Sequence, residues 1–242
     1  MAKNIALIFA GGSGTRMNSK SKPKQFLEMN GKPIIIHTLE YFENHEQIDG
    51  IVIACIGEWI PYLQEKLERF HIQKVCKVVS GGTTGQESIY NGLCALHELF
   101  PQEDTAVLIH DGVRPLITEK LITDNIEAVR THGSAITVTP VTETIVVSEE
   151  SGGISDVVKR ANCFHAKAPQ SFLLKDILAA HEKALAENIH DMIDSVTMMK
   201  HYGYPLHIVE GPVENIKITS PADFYVFRAL FEARENSQIF GL

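Results

Sequence analysis

The stretch FAGGSGTRMNSKSKPKQFL, from Phe9 to Leu27, constrains this chain more than any other. It starts where a short apolar run, Ile5-Ala6-Leu7-Ile8-Phe9, stops, and Gly11, Gly12 and Gly14 follow at once. An apolar run of that length bounded by glycines predicts a buried strand of a parallel sheet, with the glycines in the loop leaving its carboxyl end. Open α/β sheets bind their ligands at that edge. Glycines let backbone N–H groups approach an anion closely, and Arg16, Lys22 and Lys24 add mobile positive charge. A triphosphate is the expected occupant. The plainer alternative is a glycine-rich βα turn with solvated basic residues.

Two familiar patterns fail on this loop. The dinucleotide fingerprint needs a third glycine where Met17 stands, and the Gly-Lys-Ser/Thr of a Walker A loop is absent. What remains, G-G-x-G-T-R-M and then P-K-Q-F-L, resembles the nucleotidyltransferases that activate sugar and polyol phosphates.

The rest of the chain alternates strand and helix. Helices are expected from Pro33 to about Asn44 and from Trp59 to Phe70, with strands at Gly50–Ile56 and Val75–Val79. A helix over about Glu87 to Phe100 carries Ile89, Leu93, Leu96 and Phe100 at helical spacing. The strand Ala106–Ile109 then delivers His110-Asp111-Gly112-Val113-Arg114-Pro115. This order predicts an α/β fold: a mostly parallel, doubly wound, Rossmann-like sheet with helices on both faces. After a helix near Glu119–His132 the rhythm changes. Strand-like runs at Ser134–Thr139, Thr144–Val147 and Ile154–Val158 surround the turn Glu149–Gly153 and predict a projecting β-hairpin arm at about 140–162. Further helices are expected near Leu174–Glu187 and Asp194–Tyr202, and strands at Leu206–Val209 and Asn215–Ile218. Ser220-Pro221-Ala222-Asp223 opens a closing helix. The 242 residues read as one domain, 1–242, with an arm.

Charge and composition exclude several classes. A net charge of −8 without a basic block argues against a nucleic-acid surface. No stretch is apolar enough for a membrane span, and the first apolar run is too short for a signal sequence. Cys55, Cys76, Cys94 and Cys163 lack zinc or C-x-x-C spacing, and three of them are expected to pack as small hydrophobes in a reducing, cytoplasmic setting.

Four stretches in order, Gly11–Leu27, His110–Pro115, Ala168-Pro169-Gln170 and Glu210–Thr219, resemble the cytidylyltransferases that act on methylerythritol phosphate and ribitol phosphate. The resemblance implies attack of an acceptor phosphate on the α-phosphate of CTP, releasing pyrophosphate. By resemblance Arg16 and Lys24 hold the outer phosphates, and Lys217 reaches the α-phosphate. Ala10, Gly11, Gly12, Gly14, Thr15, Gly81, Gly82, Ser88 and His110 line the nucleotide. Asp111 holds Mg²⁺, and Arg114, Thr144, Arg160 and Asp194 meet the acceptor polyol phosphate. The arm reaches across a homodimer. Taken by their chemistry alone, His110 is a packed histidine, Asp111 a turn residue, Arg114 a phosphate ligand or Asp111's partner, Lys217 the outward face of an edge strand, and Asp194 a helix cap. Thr83-Thr84-Gly85-Gln86 stands where the family has an acid and an arginine, which loosens the expectation for CTP. Phe26 and Gly112-Val113 lean to the ribitol phosphate branch over the methylerythritol one. A sugar-phosphate nucleotidyltransferase lacks the Asn215-Ile216-Lys217 end. A non-catalytic nucleotide-binding regulator has no need of charges on both sides of the α-phosphate.

Overall fold

The structure, a computed structural model, describes residues 2–11, 22–101 and 104–240. Strands β1 (Asn4–Ala10), β4 (Gly50–Cys55), β5 (Val75–Ser80) and β6 (Ala106–Asp111) form the parallel half of the sheet. β7 (Ser134–Pro140), β10 (Phe164–Leu173) and β11 (Ile208–Glu210) complete it in the order β11-β7-β10-β6-β1-β4-β5. Six strands run one way. β10 alone is antiparallel, wedged between β6 and β7. The small ribbon β2 (Glu28–Met29) and β3 (Lys32–Pro33) precedes the first helix, and β8 (Ile145–Ser148) pairs with β9 (Ile154–Val158) in the arm.

Alternating side chains on buried strands sort the core into two layers. Ala6, Ile8, Ile51 and Ile53 meet α1 (Ile34–Asn44), α2 (Ile60–Arg69) and α4 (Glu119–His132). Ile5, Leu7, Val52 and Val107 meet α3 (Gly85–Leu99), α5 (Leu174–Ala186) and α6 (Ser195–His201) on the other face. The expected doubly wound arrangement is present. A third cluster, Met29, Ile34, Val113, Leu116, Ile218 and Phe227, seats α7 (Pro221–Phe240) beside the loop after β6.

The structure departs from expectation at four points. Asn215–Ile218 is not a strand, because β11 already closes that side of the sheet. The segment crosses the loop after β6, with Ile218 N–H donating to the Val113 carbonyl at 2.9 Å and Asn215 Nδ2 to the Ala168 carbonyl at 2.7 Å. β10 was not expected, since His, Lys and an interior proline break any strand pattern there. Of the cysteines only Cys55 is fully buried, while Cys76 is exposed because β5 is the sheet's edge strand. Pro33 stands at the N-cap of α1 instead of inside its first turn. Among the described residues no helix is long and apolar enough to cross a membrane.

Candidate active site

The loops after β1, β5, β6 and β11 all leave the sheet at one edge. β10, running the other way, brings Ala166–Gln170 to the same edge. The pairing of β10 with β7 is interrupted between Ala166 and Gln170, and the Ala168–Pro169 peptide within the gap is cis. A cavity of about 210 Å³ opens there, and Asp111, Arg114, Lys167, Gln170, Asp194 and Lys217 are among its lining residues.

Asp111 is the centre of its charge. Lys217 Nζ lies 2.6 Å from Oδ1, and Arg114 Nε donates to Oδ2 at 2.8 Å. Arg114 Nη1 also donates to the Asn215 carbonyl at 3.0 Å, which fixes the segment carrying Lys217. Burial alone would raise the Asp111 carboxyl. The charges of Lys217 and Arg114 and their hydrogen bonds outweigh it and hold the group well below the usual carboxylate range. Lys167, a third cation, donates to the Val213 carbonyl at 2.9 Å; burial and then the Arg114 charge push its pKa down. Three cations against two carboxylates, Asp111 and Asp194, leave a local excess of positive charge in a chain of net charge −8. Such a site is built for a polyanion.

The glycine loops meet through Ser88. Its Oγ accepts from Gly82 N–H at 2.9 Å and donates to the Thr84 carbonyl at 2.8 Å. A Cβ on Gly81 would lie 3.0 Å from that oxygen and 3.4 Å from the Gly11 Cα, so the two loops touch only because both residues are glycines. The departure at Thr83–Gln86 is a helix start. Thr84 Oγ1 accepts from Glu87 N–H at 3.0 Å, and the Glu87 carboxylate accepts from Thr83 N–H and its hydroxyl, both at 2.7 Å. Gln86 then reaches across the cavity wall, donating to the Ile189 carbonyl at 2.7 Å and accepting from Met192 N–H at 3.0 Å. It ties the loop after β5 to the segment that ends in Asp194.

Other expected residues fall differently. Ala10 is buried, and its carbonyl accepts from Gln25 Nε2 at 2.8 Å, which docks the turn Lys24–Phe26 beside β1. His110 is packed under the site, its ring 5.3 Å from Phe42 and its Nε2 3.2 Å from the Arg114 carbonyl. Asp194 lines the cavity and also caps α6, accepting from Thr197 N–H at 2.9 Å. Thr144 and Arg160 do not line the cavity of this chain. Both are exposed on the arm, where Arg160 donates to the Thr142 carbonyl at 2.8 Å. Gly12, Gly14, Thr15 and Arg16 lie outside the described residues.

Asp111 also bears on a metal. Among the described residues no three His, Cys, Asp or Glu side chains cluster. Asp194, the other carboxylate in the cavity, already accepts from its cap partner Thr197 and from Gln170 Nε2 at 3.2 Å. One ionised carboxylate suits Mg²⁺, which takes one or two carboxylates and completes its shell with substrate phosphate oxygens and water.

Lys167, Gln170, Gln86, His181 and Ser195 are cavity residues that sequence reasoning did not single out as site residues. For Lys167 and Gln170 the flagged Ala168-Pro169-Gln170 stretch was a pointer. For Gln86 the pointer was the departure at Thr83–Gln86; His181 and Ser195 carried no signal.

Comparison with known proteins gives a consistent picture. The family described as IspD, 2-C-methyl-D-erythritol 4-phosphate cytidylyltransferase, matches residues 4–233. A ribitol-5-phosphate cytidylyltransferase from Streptococcus agalactiae is 54% identical over 99% of both chains. One from Vibrio parahaemolyticus is 53% identical over 98% of this chain and 100% of its own. A 2-C-methyl-D-erythritol 4-phosphate cytidylyltransferase from Clostridium novyi is 38% identical over 96% and 98%. The crystal structure of a 4-diphosphocytidyl-2C-methyl-D-erythritol synthase from Anaerococcus prevotii superposes with a TM-score of 0.82 at 27% identity, covering 96% of each chain.

Proposed function

Since the chain belongs to the IspD family of cytidylyltransferases, we propose that it moves CMP from CTP to the phosphate of D-ribitol 5-phosphate, giving a CDP-polyol and pyrophosphate. The observation that carries the reading is the ionised Asp111 paired with Arg114 and Lys217, with Lys167 lining the same cavity. An acceptor phosphate oxygen forms a bond to the α-phosphorus, and the bond from that phosphorus to the bridging oxygen breaks. Pyrophosphate leaves with the electron pair. A phosphate monoester loses its second proton near about pH 6, so the nucleophile is already charged at neutral pH and no general base is needed. The protein's share is positioning and charge neutralisation. Lys217 meets the α-phosphate, and Arg16 and Lys24 hold the departing phosphates. Arg114 binds the acceptor phosphate, and Asp194 a hydroxyl beyond it. Ala10, Gly11, Gly12, Gly14, Thr15, Gly81, Gly82, Ser88 and His110 shape the nucleotide pocket. Asp111 would hold Mg²⁺, which neutralises phosphate charge when bound.

The acceptor is argued from the relatives: those from Streptococcus agalactiae and Vibrio parahaemolyticus named for ribitol 5-phosphate are 53–54% identical, and the one from Clostridium novyi named for methylerythritol phosphate is 38% identical. Pyrophosphate release with Mg²⁺, crossing CTP, UTP, ATP and GTP with ribitol phosphate, methylerythritol phosphate and mannose phosphate, tests both partners. Release with CTP and ribitol phosphate alone is the expected result. Release with methylerythritol phosphate instead moves the chain to the other branch, and silence from folded, CTP-binding protein removes the catalytic reading.

The same reading assigns the arm to a homodimer. Val146 and Val157 face each other across the hairpin with 50% and 58% of their surface exposed, and Ile154 is 63% exposed. Apolar side chains on a projecting ribbon are covered most simply by a second copy. That copy would receive Thr144 and Arg160 at its acceptor phosphate, because neither lines the cavity of its own chain. Sedimentation at micromolar concentration is expected to give twice the 26.9 kDa chain mass. Val157→Asp should shift the protein to monomer and lower turnover; a monomeric parent protein would end the assignment. All four cysteines are unpaired, which supports a reducing, cytoplasmic compartment.

A further inference from the structure

The cavity has a second polar set that the phosphate chemistry leaves unused. His181, on α5, is 2% exposed, and Ser195, the first residue of α6, is 3% exposed; both line the cavity. Among the described residues, neither His181 Nε2 nor Ser195 Oγ finds a hydrogen-bond partner. Buried polar atoms without partners are uncommon, and each asks for an explanation such as a ligand group. Their surroundings hold both groups in place. The His181 ring stacks on Tyr90 with centroids 5.8 Å apart, which fixes its plane. Ser195 is held by α6, whose cap Asp194 accepts from Thr197.

The chemistry of the set differs from that of the Asp111 side. Arg114, Lys167 and Lys217 are cations and suit phosphate, whereas Ser195 is neutral and His181 is held neutral by burial, its pKa pushed down to about 4. A neutral imidazole and a hydroxyl each offer both a donor and an acceptor. An alcohol does the same, so the match is to hydroxyl groups and not to charge. We propose that His181 and Ser195 recognise hydroxyls of the acceptor's polyol chain and so set which polyol phosphate is used. The inference rests on the cytidylyl-transfer reading above and deepens it. A site whose buried polar atoms are satisfied only by the right substrate rejects an analogue that lacks the hydroxyl, because the atoms then stay unpaired.

His181→Phe keeps the ring on Tyr90 and removes both nitrogens; Ser195→Ala removes only the oxygen. Pyrophosphate release would be measured with CTP and a series of acceptors of falling hydroxyl count: ribitol 5-phosphate, erythritol 4-phosphate and glycerol 3-phosphate. The parent protein should favour the longest chain. Each variant should lose at least about tenfold in kcat/KM for ribitol 5-phosphate and should flatten the preference across the series. The KM for CTP should stay within about twofold, a split that general loosening of the fold would not give. Should His181→Phe fail to fold, judged by circular dichroism, Ser195→Ala carries the test. Variants that keep the parent's preference overturn this inference alone. A parent protein that uses no polyol phosphate with CTP overturns the transfer reading and this inference with it.

Discussion

Lys217→Ala is expected to cut turnover by about 10²- to 10³-fold at saturating CTP and acceptor, the usual cost of removing one preorganised charge from a transferring group. Lys217 Nζ sits 2.6 Å from Asp111 Oδ1 in the absence of substrate, so the carboxylate keeps the ammonium at the cavity mouth with its side chain 39% exposed. The segment around it does not depend on the lysine. Ile218 N–H on the Val113 carbonyl, Asn215 Nδ2 on the Ala168 carbonyl and Arg114 on the Asn215 carbonyl hold its path. Loss of the side chain should therefore leave the circular dichroism spectrum close to the parent's and lower the melting temperature by only a few degrees, since Asp111 keeps Arg114, while pyrophosphate release collapses. Lys217→Arg, which keeps charge but not shape, should restore part of the rate. Unchanged turnover in the alanine variant would remove Lys217 from the mechanism.

Acid should unfold this protein earlier than its carboxylates alone would require. His110 and His181 are buried, and burial is the largest cause of a pKa near 4 in each; for His110 the neighbouring Asp111 charge pulls the other way without winning. An unfolded histidine titrates near about 6.5. Between those values the unfolded chain binds protons that the folded chain refuses, so stability is fully present above pH 6.5 and falls as pH drops toward 4. At pH 5 each histidine costs roughly 2 kcal/mol, and the pair roughly 4. For a chain of this size that is a fall of about 8–16 °C in melting temperature relative to pH 7.5. Asp111, held below the usual range, adds its loss only under about pH 3.9, outside this window. A calorimetric series from pH 7.5 to 4.5 would read it, and His181→Phe should halve the slope. A melting temperature independent of pH over that range would contradict the burial argument.

Much of the fold was legible because its signals are periodic. Ile5–Phe9, Gly50–Ile56 and Ala106–Ile109 are apolar runs between turns, and the helices carry their stripes at regular spacing; each lies where expected. β10 was not legible. Its first half, Phe164–Ala166, is exposed, its second half is buried between two neighbours, and Pro169 stands inside it, so no single pattern runs its length. Lys217 was expected on a strand because Ile216 and Ile218 flank it, yet those isoleucines pack toward the α7 cluster with no partner strand. At the site, Asp111, Arg114 and Lys217 could be named from their motifs, and the structure joins them by ion pairs. His181 and Ser195 could not be named. Nothing in a sequence marks a polar atom that is buried and unpaired, since that property belongs to the packing of α3, α5 and α6 together.

The wedged antiparallel strand has a consequence for synthesis on the ribosome. β6 is complete at Asp111, but its outer neighbour ends at Leu173, roughly sixty residues later. β7 emerges in between and cannot take the place, because its own partner is that same late strand. At 5–20 residues per second, the nascent chain carries an open, apolar strand edge for about 3–12 s before its sheet can close. An open edge of that kind pairs readily with other chains. Crowded polysomes and fast overexpression should then favour aggregates seeded at β6, and slower translation through residues 112–173 should raise the soluble yield.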